Sequence, residues 1–230
     1  MVEKSKEFLK TGAEIYHGNI SEGAKEHLCW SRVKSNILNN KPKCIIVTGR
    51  AGAGKTTLSK KLGQLLWMPV ISRDEIKEGY VNTFGVKHDG LPPETDRLVT
   101  DFFFDIVSRF LAGKVSVIIE AAFQHAVWEW RMPKILELSH PFIIICSIDA
   151  EIAAQRHLKR GLDNPRREFY HEDKRVSLYR ATGDIGTPQP YAAPNFNVPT
   201  LKVLTENDYS PSINEITLQI ESQNSESSKG

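Results

Sequence analysis

The stretch Lys43–Ser59, KCIIVTGRAGAGKTTLS, constrains the fold more than any other part of the chain. Cys44-Ile45-Ile46-Val47 is a short apolar run rich in β-branched residues, as expected of a parallel strand covered on both faces. Gly49, Gly52 and Gly54 follow, and glycine, with no Cβ, lets the backbone turn at positive φ and point its N–H groups inward as an anion nest. Lys55, Thr56 and Thr57 then open a helix in which Leu58, Leu62, Leu65 and Leu66 recur at helical spacing. The pattern Gly49-x4-Gly54-Lys55-Thr56 between a strand and a helix is the phosphate-binding loop, or Walker A motif. It predicts a nucleotide held by Gly49, Arg50, Ala51, Gly52, Ala53, Gly54, Lys55, Thr56 and Thr57.

The gross numbers set the limits around this motif. The 230 residues are 40% hydrophobic and 25% charged, enough for one sizeable core. Thirty basic against 28 acidic residues leave a net charge of +2, short of the basic excess of a protein that tracks a long nucleic-acid backbone. Cys29, Cys44 and Cys146 have no metal-ligand spacing, and Cys44 and Cys146 sit inside apolar runs. An odd cysteine count without a secretory leader is read as a reducing, cytoplasmic setting. No apolar run is long enough to span a membrane.

Taken in order, residues 1–41 read as a helical extension, with a helix over Ser21–Asn39 burying Leu28, Trp30, Val33 and Ile37 and ending before Pro42. The main domain is expected over 42–221. A second strand, Met68–Ser72, leads into Arg73-Asp74-Glu75-Ile76-Lys77, which puts Asp74 at the strand-end rim where α/β folds bind ligands. After a turn-rich segment at Asn82–Pro93, a helix over Glu94–Ala112 has an apolar face of Leu98, Phe102, Ile106 and Phe110 with Val99, Phe103 and Val107 beside it. A third strand, Val115–Glu120, closes on Glu120, the place for an acid that holds Mg²⁺ beside the Thr56 hydroxyl. Pro133 interrupts the following helix. The fourth strand is Phe142–Ile148, and the next helix, Ala150–Arg160, is capped by Gly161 and sets Arg156 and Arg160 one turn apart. A proline-rich loop, Thr182–Pro199, precedes a fifth strand at Thr200–Leu204 and a last helix at Ser212–Glu221. The polar tail 222–230 reads as disordered. Alternating strands and helices around a P-loop imply a three-layer α/β/α sandwich on a five-stranded, mostly parallel sheet.

Four segments in this order, GRAGAGKTT, SRDEIK, IIEAAF with Arg131 downstream, and QRHLKRG, resemble a group of P-loop kinases. The group comprises the zeta toxins, chloramphenicol phosphotransferase and the kinase domain of phage polynucleotide kinase. The resemblance covers roughly residues 42–215 and implies ATP and Mg²⁺ as cofactors. By that likeness Asp74 is the general base on an acceptor hydroxyl, Lys55 bridges the β- and γ-phosphates, and Thr56 with Glu120 serves the metal. Arg160 steadies the transferring phosphoryl group, and Arg156 stacks on adenine or closes a lid. The Thr205–Tyr209 loop, with Asn207, edges the adenine pocket. Arg73, Lys77 and Arg131 are candidates for the substrate side, and each also reads as a surface ion pair. Position 77 is lysine where the polynucleotide branch favours arginine, and position 120 is glutamate where aspartate is commoner. The expected acceptor is therefore a small hydroxyl compound. A polynucleotide 5′-hydroxyl, a nucleotide-sugar, and a nucleotide-gated module without transferase activity stay open beside it.

Overall fold

The computed structural model describes residues 40–171 and 173–226. The chain divides into two units, 1–40 and 41–230, and the helical extension expected at the N-terminus lies outside the described residues. In the second unit five strands form one sheet: β1 (Lys43–Thr48), β2 (Val70–Ser72), β3 (Val117–Glu120), β4 (His140–Ser147) and β5 (Thr200–Leu204). Their order is β2-β3-β1-β4-β5 and every pairing is parallel. Helices on both faces complete the three-layer sandwich. The P-loop strand takes the centre, flanked by β3 with Ile45 opposite Ile118 and by β4 with Ile46 opposite Ile143.

The apolar run of β1 is explained by its burial on both sides. Side chains alternate along a strand, so Cys44 and Ile46 enter one core and Ile45 and Val47 the other. The first core is closed by α3 (Thr95–Ala112) and α4 (His125–Leu138), through Phe103, Phe104, Val107, Trp128 and Met132. The second is closed by α1 (Lys55–Leu66) and α8 (Ile213–Glu226), through Leu58, Leu62, Ile216 and Ile220. The remaining helices, α2 (Arg73–Phe84), α5 (Ala150–Asp163), α6 (Arg167–Tyr170) and α7 (Lys174–Thr182), gather around the carboxyl ends of the strands.

Several expectations are corrected. On α3 the buried positions are Val99, Phe103, Phe104, Val107 and Leu111, whereas Leu98 and Phe102 face solvent. Apolar residues cover more than half of that helix's circumference, so periodicity alone does not pick the inner face. Leu65 of α1 is exposed as well. Pro133 lies inside a continuous α4. Gly161 is no cap. It sits within α5, where a Cβ would come 2.4 Å from Val176 Cγ2 and 2.6 Å from Asp173 Oδ2, so the glycine lets α7 approach α5 closely. The last helix runs to Glu226, so residues 222–226 are helical rather than disordered; residues 227–230 lie outside the described part. The Thr182–Pro199 segment is irregular as expected, but it is tied down. Gln124 donates to the Pro190 carbonyl at 3.2 Å and accepts the Ala192 N–H at 2.7 Å.

Candidate active site

The loop between β1 and α1 is shaped by contacts that exclude side chains. Gly49 has φ +146° and packs so closely on β4 that a Cβ would lie 2.6 Å from the Cys146 carbonyl oxygen. Gly52, at φ +84°, meets α5 in the same way, with the Ala153 oxygen 2.1 Å from a built Cβ. Gly54 caps α1 in the left-handed region with no side-chain cap bond, and the first turn carries no acid. The free N–H groups of that turn are therefore left for a ligand, and the helix dipole favours an anion there. The contrast with α5 and α7 is informative, because Asp149 and Asp173 fill their N-cap positions.

Lys55 is 8% exposed and its Nζ donates to the Arg50 carbonyl at 3.1 Å, bridging the loop from beneath. Burial lowers its pKa, opposed by the charges of Glu120 and Asp74. Glu120 is 4% exposed and stands where β3 ends, opposite Ser72 of β2 and Val47 of β1. Its Oε2 accepts hydrogen bonds from Ser72 Oγ at 2.8 Å and Thr56 Oγ1 at 3.3 Å. Burial raises the Glu120 pKa, while Lys55 and the two hydroxyls act the other way. Thr56, Ser72 and Glu120 thus offer only oxygen donors, the set a hard cation prefers. Among the described residues no group of three or more histidine, cysteine or acidic side chains could hold a metal alone. Mg²⁺ fits this place if water and nucleotide phosphates complete its shell, which is its usual manner of binding.

Asp74 lies in the first turn of α2, with its side chain 54% exposed and Arg73 Nη1 at 3.6 Å from Oδ1. Its charge bears on Lys55, Glu120 and Arg160, so the four groups lie within electrostatic reach of one another. Burial lowers the pKa of Arg160, with the charge of Arg167 acting in the same direction and Asp74, Asp173 and Glu120 opposing. Arg156 turns elsewhere. Its guanidinium donates to the carbonyls of Thr205, at 2.8 Å, and Glu206, fixing the loop after β5 that contains the exposed Asn207. Thr205 Oγ1 in turn donates to the Ala53 carbonyl at 2.9 Å, which ties that loop to the P-loop.

The three candidates for the substrate side are all ion-paired. Arg73 Nη2 and Lys77 Nζ converge on Asp96 Oδ1 of α3 at 2.7 and 2.8 Å, and Arg131 pairs with Asp101 over the Phe104 ring. Sequence reasoning placed Thr205 only within the loop at the adenine side and missed Ser72, Asp96 and Tyr191. The Tyr191 hydroxyl meets Thr48 Oγ1 at 2.8 Å, and Thr48 donates to the Ala121 carbonyl at 2.9 Å, so this tyrosine pins the irregular loop to the root of the P-loop. The one available signal was the strand-end position of Ser72 beside Asp74.

Comparisons with known proteins agree with the fold. A family model described as an AAA domain (AAA_33) matches residues 44–181. A protein of Chloroflexus aurantiacus j-10-fl, provisionally assigned as a kinase, is similar at 25% identity and TM-score 0.65, over 80% of this chain and 98% of its own. A gluconokinase from Sinorhizobium meliloti 1021 shares the fold at 15% identity and TM-score 0.52, over 84% of this chain and 100% of that one. So does a sugar kinase from Janibacter sp. HTCC2649, at 14% and 0.51, over 79% and 95%. No curated protein matches the chain in sequence.

Proposed function

We propose that this chain, which belongs to the AAA-domain family whose model it matches, is an ATP-dependent kinase that phosphorylates a hydroxyl of a small molecule. The observation that carries the reading is the uncapped phosphate nest with Lys55, Glu120 and a half-exposed Asp74 in electrostatic reach of one another. A module that only binds nucleotide has no need of a half-exposed carboxylate beside the nest.

Phosphoryl transfer asks a protein mainly for positioning and charge neutralisation. The first-turn N–H groups of α1 hold the β-phosphate, and Lys55 lies between the β- and γ-phosphates. When bound, Mg²⁺ neutralises phosphate charge, with Thr56 and Glu120 as the protein's contribution to its site. Asp74 accepts the proton of the acceptor hydroxyl as that oxygen bonds to the γ-phosphorus. The bond from phosphorus to the β,γ-bridging oxygen breaks, ADP departs, and Asp74 returns its proton to water. Arg160 faces the charge on the transferring group, for which a planar guanidinium is suited. Arg156 acts on the adenine side through the Thr205–Glu206 backbone. Arg73, Lys77 and Arg131 serve the acceptor side through the two ion-paired clusters that shape it.

The test is a screen of hydroxyl acceptors, neutral and anionic, with an oligonucleotide bearing a 5′-hydroxyl among them, scored by ADP release against Lys55→Ala as background. Release stimulated by a small acceptor supports the reading. Stimulation by the oligonucleotide alone, or ATP binding with no stimulation by any acceptor, contradicts it.

A further inference from the structure

A cavity of about 430 Å³ opens beside the nest, walled by the P-loop tip (Arg50, Ala51), the first two turns of α5, the start of α7 and the Pro188–Tyr191 segment. That volume is in the range of small-molecule sites. It shares Arg50 and Ala51 with the phosphate loop, but none of Gly52–Thr57, Glu120, Asp74 or Arg156 lines it. Its chemistry is one-sided. Arg50, His157, Lys174 and Arg175 face it together with Gln124, Gln189 and the Tyr191 phenol, and the rest of the described lining is alanine and proline, with no carboxylate.

The cationic groups are held in place. Arg175 donates through Nη1 to the Ile185 and Gly186 carbonyls, which anchors its guanidinium between α7 and the irregular loop. His157 keeps Nδ1 3.6 Å from Oδ1 of Asp173. The Asp173 side chain is 2% exposed, and its Oδ1 accepts the Val176 N–H at 3.3 Å. Burial lowers the His157 pKa, so this ring beside the buried carboxylate is a wall of the cavity and not one of its cations.

We propose that this cavity binds a compact oxyanion, a phosphate or carboxylate group, carried by the hydroxyl acceptor. Arg50, Lys174 and Arg175 take the charge, and the Gln189 amide adds neutral bonds. Charge-assisted hydrogen bonds to oxyanions are the strong ones, and arginine's planar fork matches their geometry. The small alanine and proline walls leave room for a compact body beside the charged groups. The assignment of the anion to the acceptor rests on the kinase reading above; the binding of an oxyanion does not.

Two arms test it on the full chain. In the first, inorganic phosphate is titrated calorimetrically into protein saturated with Mg²⁺ and a non-hydrolysable ATP analogue, so that the nest is filled. Titration of the analogue itself reports on the nucleotide reading separately. Saturable phosphate binding is expected, weakened at least tenfold in Gln189→Glu, which puts a carboxylate on the exposed rim, and in Lys174→Gln. No saturable binding, or binding unchanged in both variants, overturns the site. In the second arm a neutral polyol, its carboxylate and its phosphate monoester are compared as acceptors. Turnover confined to the anionic members, with inorganic phosphate competing against them and KM raised at least tenfold by Gln189→Glu, is the expected result. Turnover of the neutral polyol with inorganic phosphate as activator overturns the assignment to the acceptor.

Discussion

At the scale of single residues the P-loop works through what is missing from it. Gly52 bends at φ +84° with its α-carbon against the Ala153 carbonyl. Gly52→Ala sets a Cβ 2.1 Å from that oxygen and forces a side chain into a strained backbone region. We expect a loss of about 2 kcal/mol or more of stability and a weaker nucleotide, since the loop must move off α5. Chemical denaturation and an ATP titration measure the two effects. Unchanged values for both would mean that the loop and α5 are not packed as described. The polar residues follow the same rule of local fit. Glu120 and Lys55 are both nearly buried and each stabilises the other's charge, so removal of either leaves an uncompensated charge.

At the scale of elements α2 and α3 are joined by Asp96, which receives Arg73 and Lys77 on one oxygen. Burial pushes the Asp96 carboxyl up, but the hydrogen bonds and charges of Lys77 and Arg73 outweigh it, and its pKa lies below the ordinary 3.8. A depressed carboxylate adds stability above its unfolded pKa and loses it as pH falls through the folded one. Asp96→Asn should therefore destabilise the protein at pH 7, by about 1 kcal/mol or less because the side chain is mostly exposed, and make no difference near pH 2. Melting curves at the two pH values decide this; an equal effect at both would assign the loss to something other than ionisation. The same residue shows where sequence reading stops. Asp96 lies 23 and 19 residues from its two partners, beyond the reach of helical spacing. Arg73 and Lys77 were legible as cations near a rim and not as a staple.

At the scale of the whole molecule the legible part was what short-range pattern encodes. The five strands, the P-loop helix and the irregular segment before β5 were readable because burial on two faces, glycine and proline leave local marks. Contacts made only by topology left none: Thr205 bonds to Ala53 across 152 positions, and Tyr191 meets Thr48 across 143. The inner face of α3 and the role of Gly161 were misread for the same reason, since both depend on which neighbour arrives. These long-range ties join the nucleotide loop to β5 and to the segment before it, so nucleotide binding should stabilise the domain as a unit. With Mg²⁺-ATP at about a hundred times its Kd, stability should rise by about 2.7 kcal/mol, a melting shift of about 5–10 °C. Calorimetry should show a single transition moving. No shift with Mg²⁺-ATP would contradict the nucleotide site.

The claim that the nest presents a phosphate to a second substrate turns on Asp74. The most direct measurement pairs single-turnover transfer with an ATP titration in Asp74→Asn, using the acceptor that the ADP-release screen selects. General bases contribute about 10²–10⁴-fold, so transfer should fall by about that factor while ATP affinity stays within about threefold. Undiminished transfer, or equal losses of transfer and ATP binding, would remove Asp74 from the role of general base.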